Sequence, residues 1–203
     1  MTTRFVFLAS KSPRRSELLR QIGVAHESIA ADAGRGMAEV DETPQPGEAP
    51  DAYVLRLARG KAKAGWDHLS VERSPPHPVI AADTTVAVDG RILGKPGSDV
   101  EARAMLSALS GRTHQVFTAV AVASTSGIGV ALSVSSVTMR EISNDEVGRY
   151  VALGESGDKA GAYAIQGHAA MFIERIEGSY SGVMGLPLFE TANLLTAAGL
   201  TLP

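Results

Sequence analysis

The sequence predicts an α/β domain with a mixed central sheet flanked by helices, in which two lobes enclose a cleft. Apolar segments of strand length alternate along the chain with segments of helical period. Two hairpin-like pairs, at 85–93 and 115–139, require antiparallel neighbours and so argue against a purely parallel sheet. A length of 203 residues favours a single domain, residues 1–203.

The first half of the chain is predicted to hold a strand and two helices. Arg4 to Ala9 has the length and composition of a short buried strand. Pro13 suits the first turn of a helix that ends near Gly23, after about three turns. Residues 30–50, rich in glycine, proline and acidic side chains, predict a long loop. A second helix, Asp51 to Ala64, is expected to end at Gly65 with Lys61 in its last turn.

The second half is predicted to begin with a proline-bearing connection, Ser74 to Pro78, and a strand, Val79 to Ala82, that delivers Asp83 at its end. An Asp-Gly turn at 89–90 predicts a hairpin. A helix is predicted from the capping box of Ser98 and Glu101 to Leu109, and another from the capping box of Ser143 and Glu146 to 152–153. Paired strands are predicted between these helices, at 115–123 and 130–139. The chain then continues with a strand at 170–176, a glycine-rich stretch at 178–185 and a helix at 187–198.

Composition narrows the class of ligand. The formal net charge of −3 and the pI near 6.0 give no overall attraction to nucleic acid or to an anionic membrane, so a polyanion needs a local cluster of positive charge. We expect no nucleic acid partner, no membrane span and a cytoplasmic location. The absence of cysteine excludes disulfides and thiolate chemistry.

Arg14 and Arg15 fall in the first turn of a predicted helix, where the macrodipole disfavours positive charge by roughly 0.3–1 kcal/mol each. A phosphate would offset that cost, because first-turn N–H groups and guanidinium forks are both phosphate donors. Two solvated arginines on a helix surface explain the pattern equally well.

Asp83 follows an apolar strand, so its carboxylate is expected beside a cleft, where it could bind a metal or act as a base. An aspartate that only caps a turn is the simpler alternative. Glu42 and Lys95 could converge on it, although spacing alone does not require this. The five histidines lack a zinc-binding spacing, and neither a P-loop nor a dinucleotide-binding motif is present.

Seven strings occur in one order along nearly the whole chain: 8–15 (LASKSPRR), 82–86 (ADTTV), 94–96 (GKP), 109–114 (LSGRTH), 162–167 (AYAIQG), 176–180 (IEGSY) and 185–188 (GLPL). Together they resemble the Maf family of nucleotide pyrophosphatases, whose fold is similar to that of inosine triphosphatases. The resemblance implies hydrolysis of a nucleoside triphosphate to the monophosphate and pyrophosphate with a divalent cation, Mg²⁺ or Mn²⁺. A homodimer is a further family expectation.

The resemblance also assigns roles. Asp83 matches the catalytic aspartate, with Glu42 rather than Glu39 as the loop glutamate that binds metal with it. The implied substrate-binding residues are Ser10, Arg14, Arg15, Lys61, Thr84, Lys95 and Gln166.

Asp-Thr-Thr at 83–85 and the 162–167 string resemble the dTTP/UTP branch, in which Arg14, Thr84 and Gln166 are specificity positions. Modified pyrimidine nucleotides are included in this expectation. A glutamine amide can pair with O4 and N3–H of uracil or thymine, but it can flip to suit cytosine unless neighbours fix it. Two alternatives stay open: a 7-methyl-GTP pyrophosphatase, and a nucleotide-binding regulator of septum formation.

Overall fold

A computed structural model describes residues 5–29, 38–72 and 77–203. Most of the predicted connection at 74–78 and the first part of the predicted loop at 30–50 lie outside these residues. The described elements, in chain order, are β1 (Phe5–Leu8), α1 (Pro13–Gln21), β2 (Ala25–Ser28), α2 (Pro50–Glu72), β3 (Val79–Val88), β4 (Arg91–Leu93), α3 (Asp99–Leu109), β5 (Thr113–Ser124), β6 (Gly127–Met139), α4 (Asn144–Ala152), two 3-10 turns (Ala160–Ala162 and His168–Phe172), β7 (Ile173–Glu177), α5 (Tyr180–Met184) and α6 (Leu188–Ala197).

The strands form one mixed sheet, which confirms the predicted fold class. Its order is β2-β1-β3-β5-β6-β7, and β4 pairs with β3 off this path. β1 runs parallel to β2 and β3, whereas the other pairs are antiparallel. The Asp89-Gly90 hairpin between β3 and β4 is confirmed, with positive φ at both turn residues.

The strand that leads to Asp83 was predicted to end at Ala82, but the observed strand β3 continues to Val88. Its partners change instead. β1 pairs only with Val79 and Ile80, and β4 pairs with 86–88. On that side, residues 81–85 have no strand partner within the described part of the chain. An opening in the middle of the sheet therefore takes the place of the predicted strand end.

A polar row divides one face of the sheet into two apolar clusters. Thr84 pairs in register with Thr118, which pairs with Ser133. The hydroxyl of Thr118 donates to the Gly182 carbonyl in α5 at 2.8 Å and accepts from the Thr84 hydroxyl at 3.0 Å. One cluster holds residues of α3 and α4, and the other holds residues of α1 and α6. The two clusters are the two lobes expected from the sequence.

The opposite face is covered by α2, which is longer than predicted. The helix passes Gly65 and continues to Glu72. Gly65 is buried, and a Cβ there would lie 2.9 Å from Val79 Cγ1 and 3.0 Å from Ile29 Cδ1. The glycine lets the helix approach the sheet and does not end the helix. Lys61 therefore lies in the middle of α2.

Other differences are local. The predicted strand at 170–176 begins at Ile173, because residues 168–172 form a 3-10 turn. The glycine-rich stretch contains α5, and the short exposed strand β2 was not predicted because its sequence lacks an apolar pattern. The complete capping box of Ser143 and Glu146 is confirmed. None of the helices that the structure describes combines the length and apolar character needed to cross a membrane.

Candidate functional site

A cavity of about 570 Å³ opens beside the polar row. Val86 and Val116 from the α3/α4 cluster line one part of it, and the start of α1 lines another. Every predicted site residue except Asp83 lines this cavity: Ser10, Arg14, Arg15, Glu42, Lys61, Thr84, Lys95 and Gln166. The fold thus brings together predicted residues that are distant in sequence, which their spacing alone did not require.

The cavity concentrates positive charge in a chain whose net charge is −3. Its described lining contains six basic side chains (Lys11, Arg14, Arg15, Lys61, Lys95 and Lys159) and three acidic ones (Glu39, Glu42 and Asp158). This is the local cluster that binding of a small polyanion needs.

Arg15 joins the start of α1 to the opening in the sheet. Its guanidinium donates to Ser10 Oγ at 2.9 Å, to Thr84 Oγ1 at 3.4 Å and to the Gly185 carbonyl at 2.8 Å. Burial lowers the pKa of Arg15, and the charge of Asp83 opposes that effect. The partners of Arg15 at hydrogen-bond distance are neutral and do not balance its positive charge. An anionic ligand could therefore pair with this guanidinium.

The first turn of α1 is open to a ligand. Its N-cap, Ser12, makes no side-chain capping bond, and Pro13 supplies the helical φ of the first turn. Ser10 Oγ instead accepts from Ser12 N–H at 3.2 Å. Such a helix start presents backbone donors to an anion.

Arg14 points to the other side of the cavity. Its Nε donates to the Met184 carbonyl at 3.4 Å, and its Nη1 lies 3.7 Å from Asp158 Oδ2. Asp158 also contacts Lys159, and both line the cavity. Neither residue was predicted from the sequence, although they lie only four and three positions before the matched string at 162–167.

Lys61 binds two carboxylates at once. Its Nζ lies 2.6 Å from Glu42 Oε1 and 2.7 Å from Asp83 Oδ1. Asp83 follows the alternation of β3 onto the face covered by α2, which explains why it lies beneath Lys61 and not on the cavity wall. The Asp83 side chain is 11 % exposed, against 51 % for Glu42.

The pKa values of the two carboxyl groups move in opposite directions. Burial raises the pKa of Asp83 despite the nearby Lys61 charge. Burial also raises the pKa of Glu42, but the hydrogen bond and charge of Lys61, together with the charges of Lys95 and Arg15, outweigh burial and lower that pKa. A more basic carboxyl beside a readily ionised one suits different roles for the two groups.

Side chains of α2 hold the loop that carries Glu42. Arg56 donates to the carbonyls of Asp41 and Thr43 at 3.0 and 3.1 Å, and the Tyr53 hydroxyl donates to the Glu42 carbonyl at 2.9 Å. Arg56 also makes a bidentate ion pair with Glu48 at 2.7 and 2.8 Å. Three successive carbonyls are thus bound, which fixes the backbone of Glu42.

Glu42 and Asp83 are the carboxylates best placed to hold a divalent cation. No group of three or more His, Cys, Asp or Glu side chains suited to a metal occurs among the described residues. Two carboxylates that share one ammonium nevertheless offer hard oxygen ligands close together. Mg²⁺ commonly takes one or two protein carboxylates and completes its shell with water and substrate phosphate. The donor set fits such an ion.

Lys95 and Gln166 are both exposed and line the cavity. Gln166 lies in a turn closed by a hydrogen bond from Gly167 N–H to the Ala164 carbonyl at 3.0 Å. Within the described part of the chain, its amide makes no hydrogen bond. Gln166 was predicted to bind substrate and lines the cavity, but the sequence does not identify what fixes its amide.

These features define the molecule as an α/β protein with a cation-rich cleft at an opening in a mixed sheet. Residues 5–198 match the family model described as "Maf-like protein". The chain belongs to the Maf family, as its ordered strings predicted.

Three relatives at high identity are each named "dTTP/UTP pyrophosphatase". The chain is 56 % identical to the Methylobacillus flagellatus protein over 98 % of this chain and 94 % of that one. It is 55 % identical to the Aromatoleum aromaticum protein, over 96 % and 95 %, and 52 % identical to the Nitrosomonas europaea protein, over 97 % and 95 %. A solved structure, the Staphylococcus aureus Ham1 protein, gives a TM-score of 0.44 at 18 % identity over 66 % of this chain and 71 % of that one.

Proposed function

We propose that this protein hydrolyses nucleoside triphosphates between the α and β phosphates and releases the monophosphate and pyrophosphate. One observation carries the proposal: the basic cluster and the carboxylate pair bridged by Lys61 adjoin a single cavity. The high identity to proteins named dTTP/UTP pyrophosphatase supports the reaction and the substrates. Such an activity would remove surplus or modified nucleotides.

The triphosphate would lie against the start of α1. Arg15 and Ser10 are already hydrogen-bonded to each other, so donors for phosphate oxygens are preorganised. Arg14 and Lys95 add positive charge on either side. These groups would stabilise the charge that develops on the leaving pyrophosphate.

Glu42 and Asp83 would hold a divalent cation, Mg²⁺ or Mn²⁺. When bound, such a cation supplies positive charge to phosphate oxygens and lowers the pKa of a bound water. Lys61 already contacts both carboxylates, which supports the view that this pair is built to neutralise a cation. The ammonium would then be free to turn towards phosphate.

Asp83 would act as the general base. Burial raises its pKa, and a carboxylate with a raised pKa accepts the proton of an attacking water more readily. Thr84, the next residue in β3, is held by Thr118 and Arg15. With Gln166 across the cavity, it would contact the nucleoside and favour uracil or thymine.

Pyrophosphate release over a panel of nucleotides with Mg²⁺ or Mn²⁺ tests the proposal. We expect turnover of dTTP and UTP, and a loss of about 10²- to 10⁴-fold in kcat for Asp83→Asn. Asp89→Asn is the matched control, because Asp89 lies in the β3–β4 turn and makes an exposed ion pair with Arg112. Absence of dTTP and UTP turnover would refute the proposed substrates.

A homodimer, expected from the family resemblance, and a cytoplasmic location, expected from the sequence pattern, stay predictions. Sedimentation equilibrium measures the first, and cell fractionation measures the second. The absence of a nucleic acid partner is measured by a binding assay at low salt, where nonspecific electrostatic binding is strongest.

A further inference from the structure

Gln166 occupies the turn at 164–167, and a residue outside the proposed active site holds one end of that turn and lies beside the residue that holds the other. Glu155 follows α4, and its side chain is 26 % exposed. One carboxylate oxygen, Oε2, accepts from His168 N–H at 3.1 Å, just after the turn. The other, Oε1, contacts His168 Nδ1.

The other end of the turn is reached through Tyr150. The buried Tyr150 hydroxyl accepts from Ala164 N–H at 3.1 Å, and Glu155 lies close enough to interact electrostatically with that hydroxyl. Tyr150 is itself held edge-on to Phe172, with ring centroids 5.7 Å apart. The carboxylate of Glu155 therefore anchors the N–H group after Gln166, and Tyr150 beside it anchors the N–H group before it.

The turn also fits Glu155 closely. A Cβ on Gly167 would lie only 2.3 Å from Glu155 Oε2. A side chain at 167 would displace the carboxylate, so glycine at this position leaves Glu155 free to bind the turn. The Gly167 backbone contacts the anchor directly.

We propose that Glu155 is a positioning residue for nucleobase recognition, acting through the turn that presents Gln166. The inference rests on the proposed function, in which Gln166 contacts the base. Because the Gln166 amide makes no hydrogen bond in the described structure, the backbone of its turn decides where the amide lies. Glu155 fixes that backbone and thereby the position from which the Gln166 amide reaches the base.

The test compares kcat/KM for UTP and CTP in four proteins: wild type, Glu155→Ala, Gln166→Ala and the double variant. We expect Glu155→Ala to lower the UTP preference about three- to tenfold, mainly through the KM for UTP, which is the effect of about one hydrogen bond. Glu155→Gln, which keeps one acceptor oxygen, should restore part of the preference. In the Gln166→Ala background, removal of Glu155 should change the preference no further, because both act on one contact.

A structural control separates positioning from general loss of stability. Glu146, at the other end of α4, caps the helix and pairs with Arg140 away from the cavity. Glu146→Ala should lower stability and leave the UTP/CTP ratio unchanged. An unchanged ratio in Glu155→Ala, or an equal change with and without Gln166, would overturn the proposal.

Hydrogen exchange without nucleotide tests the anchor independently of catalysis. The amide of His168 should exchange about tenfold faster in Glu155→Ala than in wild type, and an unchanged rate would overturn the anchor. If wild type hydrolyses no nucleotide, the proposed function fails. The exchange rates still decide whether Glu155 holds the turn.

Discussion

Removal of Lys61 should leave two carboxylates close together, one of them nearly buried. In Lys61→Met the helix keeps an unbranched side chain of similar length, but Asp83 loses its 2.7 Å partner. Breaking a fully buried ion pair costs about 3–5 kcal/mol. Lys61 and Asp83 are 19 % and 11 % exposed, so we expect about 2–4 kcal/mol at pH 7. That is a large part of the stability of a typical domain.

The cost should depend on pH. Lys61 opposes the rise in the pKa of Asp83, so that pKa moves further up in the variant. An acid whose pKa is higher in the folded state than in the unfolded state binds more protons when folded, and its penalty grows as pH rises through the folded pKa. Below the unfolded pKa the penalty is absent. The stability difference between wild type and Lys61→Met should therefore shrink as pH falls.

Urea denaturation at several pH values measures both quantities. The matched control is Lys63→Met, in the same helix, because Lys63 makes only an exposed pair with Asp67, at 64 % and 57 % exposure. Such a pair is worth at most about 0.5 kcal/mol. A Lys61→Met variant as stable as Lys63→Met at pH 7, with no pH dependence, would refute the reasoning.

Three further predictions concern other residues. Gly65→Val should lower the free energy of unfolding, measured by urea denaturation, by about 1–3 kcal/mol, because the new side chain would overlap buried Val79. A gain in stability, as for an ordinary glycine replaced within a helix, would contradict this. Arg56→Ala should raise the Mg²⁺ concentration needed for half-maximal activity severalfold by freeing the loop, whereas exposed Arg59→Ala should not. Burial lowers the pKa of His114 to about 4, so folding favours its neutral form, and stability should fall on the order of 3 kcal/mol between about pH 6.5 and 4. His114→Gln should flatten that slope, and an unchanged slope would assign it to other groups.

Local chemistry made much of the fold predictable. The Asp89-Gly90 turn, the capping box at Ser143 and the start of α1 at Pro13 each depend on a few neighbouring residues. The role of Gly65 was predicted wrongly because glycine can either end a helix or allow a helix to pack closely. Only the residues that face it across the core decide which of the two roles it has. The extension of β3 past Asp83 was equally hidden, since it depends on where the neighbouring strands stop.

The candidate site divides in the same way. The ordered strings identified the predicted residues, and the cavity contains all of them except Asp83. The two carboxylates that share Lys61, and the bonds from Arg56 to the Glu42 loop, join residues 13 to 22 positions apart. Contacts at such separations follow from how α2 packs on the sheet, which a single sequence does not specify. The partners of Gln166 were out of reach for the same reason.

The row of hydroxyls from Thr84 to Ser133 has a consequence for how the molecule tolerates change. Hydroxyl groups contribute little apolar contact between the clusters on either side, and Met184 packs against both of them. Substitutions confined to one cluster and distant from Met184 should then add to those in the other with little coupling energy. We therefore expect the two clusters to tolerate repacking separately, while the polar row between them preserves the shape of the cleft.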